Sequence, residues 1–510
     1  MNASQRHALT IAARDDLLKY IDDRGSLRQR CNSRGLESLL MLILLRRMQY
    51  LPHVQRSLAK FLQRYQQRDT LNAFEQGLLS NTLPTEYLRV ERKKWLFVTY
   101  LALIHDTPYL PATDIAQMQY EGHASWVCLT LCALKLINTH GNGQPIAEAD
   151  RVFLLEQLAH GSAREVWEGH LSAHLLSLLA LHTFAPDHAL LKQGIHSLLE
   201  QRNRDGGLPF ITHMTVYLTA FAGLALGKSG RRSPCSRRMA DYLVSVQAPD
   251  GAWAYTENVR QTDIDSTCLA IECLLQVDPV GYAPSIRRGQ DYLAGMANPD
   301  GGFPTYLRHH PSEATMTANA IIVLQPAGQA YTGVVEGALR FLRDAQQEDG
   351  TFERSWSLSA TFAIARATAA LCLSGQCSHG VMARSVAYLH RTQNPDGGWG
   401  QVAGQASDVI SSAHALSALS HGRYSDSVRR GVAYLKKHQH SRRHLIADQA
   451  APRPIPYQFP VLARIFVLNA LADVAICASS HPPSDAGDTS LPRGRGKAAY
   501  SQSPRECHAP

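Results

Sequence analysis

The sequence predicts an all-α fold in which two concentric rings of helices form an α/α toroid, with a second, degenerate helical domain in the same chain. A cassette with an Asp-Gly corner recurs five times, at Asp205, Asp250, Asp300, Asp349 and Asp396. These aspartates lie 45, 50, 49 and 47 residues apart, so one supersecondary unit of nearly constant size repeats along the chain. Each corner also separates two helical patterns, one amphipathic and one apolar on nearly every side. That alternation predicts an outer ring and an inner ring.

The helix before each corner is amphipathic and carries a Tyr-Leu or Phe-Leu pair, as in residues 240–247 and 290–296. Such a pattern is typical of a helix on the protein surface. The helix after each corner is small and apolar, as in residues 265–275 and 411–419, so we expect it to be buried. A last apolar helix near residues 463–475 would close the ring. The inner helices would then present their N-terminal ends around one mouth of a central cavity.

Each corner combines an aspartate that favours a turn with a glycine that provides the positive φ required there. We predict that the aromatic residue after the corner fills the gap between neighbouring repeats and has no catalytic part. These packing aromatics are Trp253, Phe303, Phe352 and Trp399.

The order of the segments predicts four parts. We expect residues 1–35 to form an N-terminal helix that packs on the main toroid. Residues 36–185 should form the degenerate domain, because Trp167 separates two helical patterns there without an Asp-Gly pair. Residues 186–477 contain the five cassettes and should form the toroid. Residues 478–510 are rich in Ser, Pro, Gly and Arg, which predicts a disordered tail.

The composition excludes several classes of protein. With 45% hydrophobic and 18% charged residues, the 510-residue chain is typical of a globular protein. Its net charge of +8 is scattered along the sequence, so we expect no nucleic-acid partner. No uninterrupted run of about 18 apolar residues occurs, so we expect no membrane span. The ten cysteines include no Cys-x-x-Cys pair, and we interpret them as reduced thiols of a cytoplasmic protein.

Two carboxylates, Asp263 and Asp265, stand one residue apart at the start of an inner helix. One interpretation is purely structural, because Asp is a favoured N-cap whose charge the helix dipole stabilises. The other inner helices begin differently, with Glu313-Ala, Leu358-Ser and Val409-Ile-Ser. The pair is therefore not a requirement of the repeat, and we expect it to have a catalytic role.

The periodic corners resemble the QW motifs of the terpene cyclase and protein-prenyltransferase superfamily. The stretch Asp263-Ile-Asp265-Ser266-Thr267 is similar to the DxDD motif of class II terpene cyclases, a group that includes squalene-hopene cyclases and bacterial diterpene diphosphate cyclases. Ser266 occupies the position where the usual motif has a further aspartate. The resemblance covers about residues 190–475 and implies a βγ-type architecture. It also implies that Asp265 is the general acid and that Asp263 supports it.

Protonation of an alkene needs a strong and well-aimed acid, and a carboxyl group serves only if an apolar cavity keeps it protonated. Two adjacent carboxylates resist double ionisation and would share protons. The resemblance implies a class II terpene cyclase that protonates the terminal alkene of a linear prenyl diphosphate and retains the diphosphate. Geranylgeranyl diphosphate is the first choice of substrate and farnesyl diphosphate the second. A downstream class I terpene synthase is a candidate partner.

Carbocations formed after protonation are stabilised by aromatic faces. Four aromatic residues are candidates to line the cavity: Tyr255, Tyr306, Trp356 and Phe362. A diphosphate needs cations or magnesium-bound carboxylates near the mouth, so Mg²⁺ is the expected cofactor. The candidate arginines are Arg202, Arg204, Arg260 and Arg308. The candidate magnesium ligands are Glu148 with Asp150, or Glu165 with Glu168, and surface solvation is the alternative for each.

Two alternatives to a cyclase remain at this point. His414 is similar in setting to the zinc-ligand histidine of protein-prenyltransferase β-subunits, but the repeats lack the Asp-x-Cys of that site, so we expect no zinc. His309 and His310 either orient the proton of the acid or lie in a solvated loop. A prenyltransferase-like enzyme is the first alternative, and a non-catalytic toroid that serves as a binding scaffold is the second. A scaffold predicts a filled or narrow ring, whereas cyclisation requires an apolar cavity with Asp265 at its wall.

Overall fold

The computed structural model describes residues 3–67, 73–82, 91–160, 165–230, 234–376, 380–422, 425–438 and 456–480. Most of the predicted tail, residues 481–510, lies outside these ranges. The tail was expected to begin at residue 478, but the last helix continues to Ser480.

The N-terminal part is helical apart from one short strand. Its elements are α1 (Ala3–Leu18), β1 (Ser33–Arg34), α2 (Gly35–Arg47), α3 (Pro52–Gln66), α4 (Ala73–Ser80), α5 (Glu91–His105), α6 (Ala112–Ala116), α7 (Ser125–Gly141), α8 (Glu148–Ala159), α9 (Leu171–Phe184) and α10 (Ala189–Glu200). A 3₁₀ turn at Trp167–Gly169 precedes α9. A second strand, β2 (Leu208–Pro209), follows α10 and pairs antiparallel with β1.

The remaining helices alternate between outer and inner positions. They are α11 (Thr215–Lys228), α12 (Pro234–Ser245), α13 (Ile264–Val277), α14 (Ala283–Met296), α15 (Ala314–Leu324), α16 (Thr332–Asp344), α17 (Ala360–Leu373), α18 (Gly380–Thr392), α19 (Val409–Leu419), α20 (Asp426–His438) and α21 (Pro460–Ser480). The odd-numbered helices are apolar and buried nearly all round, whereas the even-numbered helices bury one stripe.

The inner ring closes on itself. Within the described residues, each odd-numbered helix from α11 to α21 packs against the next, and α21 returns to contact α11. In this ring of six helices, α13 and α19 stand on opposite sides. The even-numbered helices pack outside, and α1 occupies the remaining outer position against α21. The predicted double ring of helices is confirmed.

Among the described residues, α21 is the one helix that is long and apolar enough to cross a membrane by length and composition. Its mean hydropathy reaches 2.0 over Pro460–Ala478, and 67% of this stretch is buried inside the protein. A helix that completes an inner ring is covered by neighbours on most sides, which accounts for its apolar composition. This helix was predicted to close the ring, but a search for uninterrupted apolar runs does not reveal it as long and apolar enough to cross a membrane.

The corners have the geometry that their sequence predicts. All five corner glycines adopt a positive φ, between 84° and 94°. In each corner, Oδ1 of the aspartate accepts a hydrogen bond of 2.9 to 3.1 Å from the backbone N–H two residues later. At Gly251, an added Cβ would lie only 2.6 Å from the carbonyl oxygen of Arg288 on the next outer helix. Glycine is therefore required both for its φ and for the close approach.

The described residues form two hydrophobic cores. The core of the toroid includes Leu9 and Leu17, so α1 belongs to it. The second core is built from α2 to α9 and also includes Leu191 and Ile195 of α10. The sequence analysis placed α10 within the toroid segment, but its apolar stripe packs against α9.

The second core contacts the toroid at the end where the inner helices begin. The ring of Trp126 meets the ring of Tyr306 edge-on, with centroids 6.4 Å apart. The hydroxyl of Tyr255 donates a hydrogen bond of 2.5 Å to the carbonyl oxygen of Glu168. The N-terminal ends of the inner helices are therefore covered at these points by the other helical unit.

Candidate active site

The aspartate pair sits in a register that the repeats share. Antiparallel bridges join three of the four corner aromatics to the residue before the next inner helix: Trp253 to Asp263, Phe303 to Glu313 and Trp399 to Asp408. Asp263 and Asp408 both cap their helices, because Oδ1 of each accepts a hydrogen bond from the backbone N–H three residues later, at 2.6 and 2.8 Å. An acidic residue at this position is thus a feature of the repeat.

This register corrects the sequence argument, which treated both aspartates as special and overlooked Asp408. Asp263 has counterparts in Glu313 and Asp408. Two residues further on, the positions equivalent to Asp265 are occupied by Thr315 and Ile410. Asp265 is therefore the acid that the repeat does not account for, whereas Asp263 has the capping role of the structural interpretation.

Asp265 ends a chain of polar contacts that crosses three inner helices. The amide of Asn319 on α15 donates a hydrogen bond of 2.8 Å to Oδ1 of Asp265. Nε of Arg366 on α17 donates to the Asn319 carbonyl oxygen at 2.5 Å. The same guanidinium forms an ion pair of 2.8 Å with Glu272 on α13. The positive charge is therefore paired with Glu272, and Asp265 receives a neutral amide donor instead.

Burial raises the pKa of Asp265 from 3.8 to about 7, against the opposing attraction of Arg366. The Glu313 carboxyl adds to the increase. Burial also raises the pKa of Asp263 to about 7, and repulsion from Asp265 contributes to it. Oδ2 of Asp263 is buried and has no hydrogen-bond partner among the described residues. The pair is thus held in an environment that favours protonated carboxyl groups near neutral pH.

A cavity opens in front of Asp265. Its wall is largely aromatic and aliphatic: Ile211, Met214, Tyr217, Tyr255, Tyr306, Trp356, Phe362, Ile410, Tyr457 and Phe466. The structure places all four predicted cavity aromatics on this wall. Aromatic faces of this kind stabilise cations without acting as strong bases. The ring therefore has an aromatic and aliphatic cavity with Asp265 at its wall, which is the arrangement that cyclisation requires.

The corner aromatics have the packing role expected for them. Trp253, Phe303, Phe352 and Trp399 are at most 1% exposed. Nε1 of Trp253 and Nε1 of Trp399 each donate to a backbone carbonyl of the preceding outer helix. None of the four lines the cavity.

The histidines separate into two groups. Nε2 of His310 donates a hydrogen bond of 2.9 Å to the carbonyl oxygen of Gly122 in the other helical unit, and His309 is exposed. His309 and His310 were considered as hydrogen-bond partners of Asp265, but Asn319 makes that contact instead. His414 lies on the cavity wall, between the rings of Phe362 and Phe466 at centroid distances of 4.8 and 4.5 Å.

The four candidate arginines do not converge on one place. Arg202 is engaged within its own corner, where it donates to Ser57 and to the Gly206 carbonyl oxygen. Arg204 lines a different cavity beside residues 28–34. Arg260 and Arg308 are exposed in the loops that precede α13 and α15. Of the four arginines, Arg260 and Arg308 lie nearest along the chain to the starts of inner helices.

The candidate magnesium ligands do not form a binding group. Asp150 accepts from Tyr120 and pairs with Lys135, and Glu148 faces Arg151. Glu168 accepts a hydrogen bond from Ser125. Within the described ranges, no cluster of three or more His, Cys, Asp or Glu side chains is placed to hold a metal ion. These residues therefore do not fit a resident magnesium site made by the protein alone.

The sequence analysis missed Asn319, Arg366 and Glu272, although a signal was present. Each is a polar residue in the middle of an inner helix that is otherwise small and apolar. A charge at such a position is almost never buried without a partner, so these residues could have been expected to contact one another or the acid.

Comparisons with known proteins show which family this chain resembles. Residues 215–369 and 309–474 match the family described as squalene-hopene cyclase C-terminal domain. A drimenyl diphosphate synthase from Streptantibioticus cattleyicolor is 35% identical over 91% of this chain and 94% of the relative. A drimenyl diphosphate synthase from Streptomyces showdoensis is 38% identical over 76% of this chain and 74% of the relative. The solved structure of ent-copalyl diphosphate synthase from Streptomyces platensis aligns over 94% of this chain and 99% of that chain, with 15% identity and a TM-score of 0.49.

The matched family covers the toroid, and the first relative covers both helical units at an identity that establishes common descent. The chain therefore belongs to the squalene-hopene cyclase family and is a class II terpene cyclase, an enzyme of the isomerase type.

Proposed function

We propose that this enzyme cyclises farnesyl diphosphate to a bicyclic drimenyl diphosphate, with Asp265 as the acid that protonates the terminal alkene. The sequence analysis placed geranylgeranyl diphosphate first. The names of the two relatives at 35% and 38% identity support the reverse order, because a drimenyl group has a sesquiterpene skeleton. Geranylgeranyl diphosphate is the second candidate.

The observation that carries the proposed chemistry is the position of the Asp265 carboxyl group at the wall of an aromatic cavity, where burial raises its pKa. Its pKa of about 7 leaves a large protonated fraction at neutral pH. Oδ1 accepts the Asn319 amide, so the proton resides on Oδ2, the oxygen that is not engaged by this donor. The alkene π electrons take this proton, and the carboxylate that forms is stabilised by the Asn319 amide and by the charge of Arg366.

The wall of the cavity suits the cation that follows. Tyr255, Tyr306, Trp356 and Phe362 present ring faces or edges, and each cation–π contact contributes on the order of 1 kcal/mol, more when water is excluded. Apolar walls also delay capture of the cation by water. Each internal alkene can then attack the cation before the diphosphate end of the chain is involved.

The test is to incubate the purified chain with farnesyl diphosphate or geranylgeranyl diphosphate, remove the diphosphate from the product and identify the alcohol by mass spectrometry. We expect a bicyclic sesquiterpene alcohol from the first substrate, formed with the higher kcat/KM. Wild-type turnover that survives Asp265→Asn would contradict the assigned acid. Preferred cyclisation of geranylgeranyl diphosphate would contradict the substrate but leave the reaction type intact.

The expectation of Mg²⁺ remains a prediction, and parallel reactions with Mg²⁺ and with EDTA test it. The cytoplasmic location is also part of the proposal. A product that keeps its diphosphate can be ionised by a second enzyme, which is the basis for proposing a class I terpene synthase as a downstream partner.

A further inference from the structure

We infer that His414 is the base that ends the cyclisation, taking the proton whose loss converts the last carbocation into an alkene. This inference rests on the proposed cyclisation and assigns its terminating step. The inference is drawn from the position of His414 in the ring, from its apolar surroundings and from the weaker basicity or existing contacts of other polar groups described on the cavity wall.

The ring places His414 across the cavity from the acid. Asp265 projects from the start of α13, and His414 lies on α19, which is the opposite helix of the six-helix circuit. Ile410 and His414 are four residues apart on α19 and both line the cavity, so this face of the helix points inward. A folded chain with its terminal alkene at Asp265 therefore extends its later-formed ring toward α19.

His414 is held as a neutral imidazole. Burial lowers its pKa to about 3, and the nearby Arg366 charge adds to the decrease. The side chain is 6% exposed and lies between two phenyl rings. Among the residues that the structure describes, no hydrogen bond to its ring nitrogens is found. A neutral imidazole retains one nitrogen lone pair, which can accept a proton from the cavity.

Other polar groups of the wall are less suited to this step. Thr305 is engaged, since its hydroxyl donates to Glu313 and accepts from Nε1 of Trp356. Asp263 lies on α13, on the side of the acid. The tyrosines of the wall offer phenol oxygens, which are weaker bases than an imidazole nitrogen.

The step balances without any further reactant. The C–H bond next to the last cationic carbon breaks, its electron pair becomes the new C=C bond, and the proton moves to a ring nitrogen of His414. The imidazolium is unfavourable beside Arg366 and between apolar rings, so it gives its proton to water when the product leaves. Asp265 regains a proton from solvent, and the net reaction is an isomerisation.

The experiment compares His414→Phe and His414→Asn with the wild type and with Ser417→Ala, a control on the same helix outside the cavity wall. Farnesyl diphosphate is supplied in D₂O, and the dephosphorylated products are separated and quantified. We expect both His414 variants to consume substrate and to incorporate deuterium from the acid. The share of the normal alkene should fall at least tenfold, in favour of water-captured alcohols or different alkene isomers. The control should give the wild-type products.

An unchanged product distribution in a His414 variant would overturn the inference while leaving the cyclase function intact. A variant that is folded by circular dichroism but consumes no substrate would also overturn it, since His414 would then act at or before protonation. A wild type that yields no cyclic product from either diphosphate would instead refute the proposed function.

Discussion

Asp265→Asn should make the protein more stable at alkaline pH while it abolishes turnover. The side chain keeps its shape, and its carbonyl oxygen can still accept the Asn319 amide. What changes is that the group can no longer ionise inside the cavity. An acid retained for function at the expense of stability is the trade-off expected at an active site.

The size of the stability change follows from the pKa of Asp265, which is raised from its ordinary value of 3.8 to about 7 in the folded protein. Because the folded pKa is raised, the folded state binds more protons, and stability is lost as pH rises from about 4 through about 7. At roughly 1.4 kcal/mol per pKa unit, the full loss is about 4 kcal/mol above this range and less than about 2 kcal/mol at pH 5. The Asn variant does not suffer this loss.

The assay is thermal unfolding of both proteins at about pH 5 and about pH 8.5, the two sides of the titration. We expect the midpoint of Asp265→Asn to exceed that of the wild type by more at the higher pH. Asp408→Asn is the matched control for activity, since it removes a half-buried carboxylate from the start of α19 and should keep the wild-type products. A midpoint difference that stays constant or shrinks as pH rises would refute the raised pKa of Asp265.

Four further outcomes are expected. Turnover should fall about tenfold per pH unit above about pH 7, because Asp265 must be protonated, and a flat profile to pH 9 would contradict this. Asn319→Ala removes the donor that lowers the pKa of the acid, so kcat should fall roughly tenfold or more and the alkaline limb of the pH profile should move upward; an unmoved limb would argue against the contact. Arg366→Met leaves Glu272 buried without its partner and should destabilise the fold by about 3–5 kcal/mol, which Glu272→Gln in the same chain should partly restore. Trp253→Ala should cost about 3–5 kcal/mol of stability, yet the protein that remains folded should give the wild-type products, since a changed product would assign this residue to the cavity.

A comparison between the repeats shows which part of the active site could be predicted from the sequence. It identified Asp265 because a second acid at an inner-helix start is unusual. Only the resemblance to the DxDD motif distinguished Asp265 as the acid from Asp263 as its support. The residues alone did not, because the alignment of the repeats depends on the bridges of Trp253 and Trp399 to their partners. Once that register is known, Asp263 matches Asp408 and Asp265 has no counterpart.

The sequence by itself determined the repeating architecture of this protein. The features that predict it are local patterns, so they can be recognised in a single sequence: the repeat period, the corner glycines, the apolar inner helices and the packing aromatics. Ring closure is not local. It brings Asn319, 54 residues away, to Asp265, joins Arg366 to Glu272 across 94 residues, and sets His414 on the opposite wall. Only the tertiary structure could decide these contacts, because the partner of a buried polar group is chosen by which helices meet in space and at what depth.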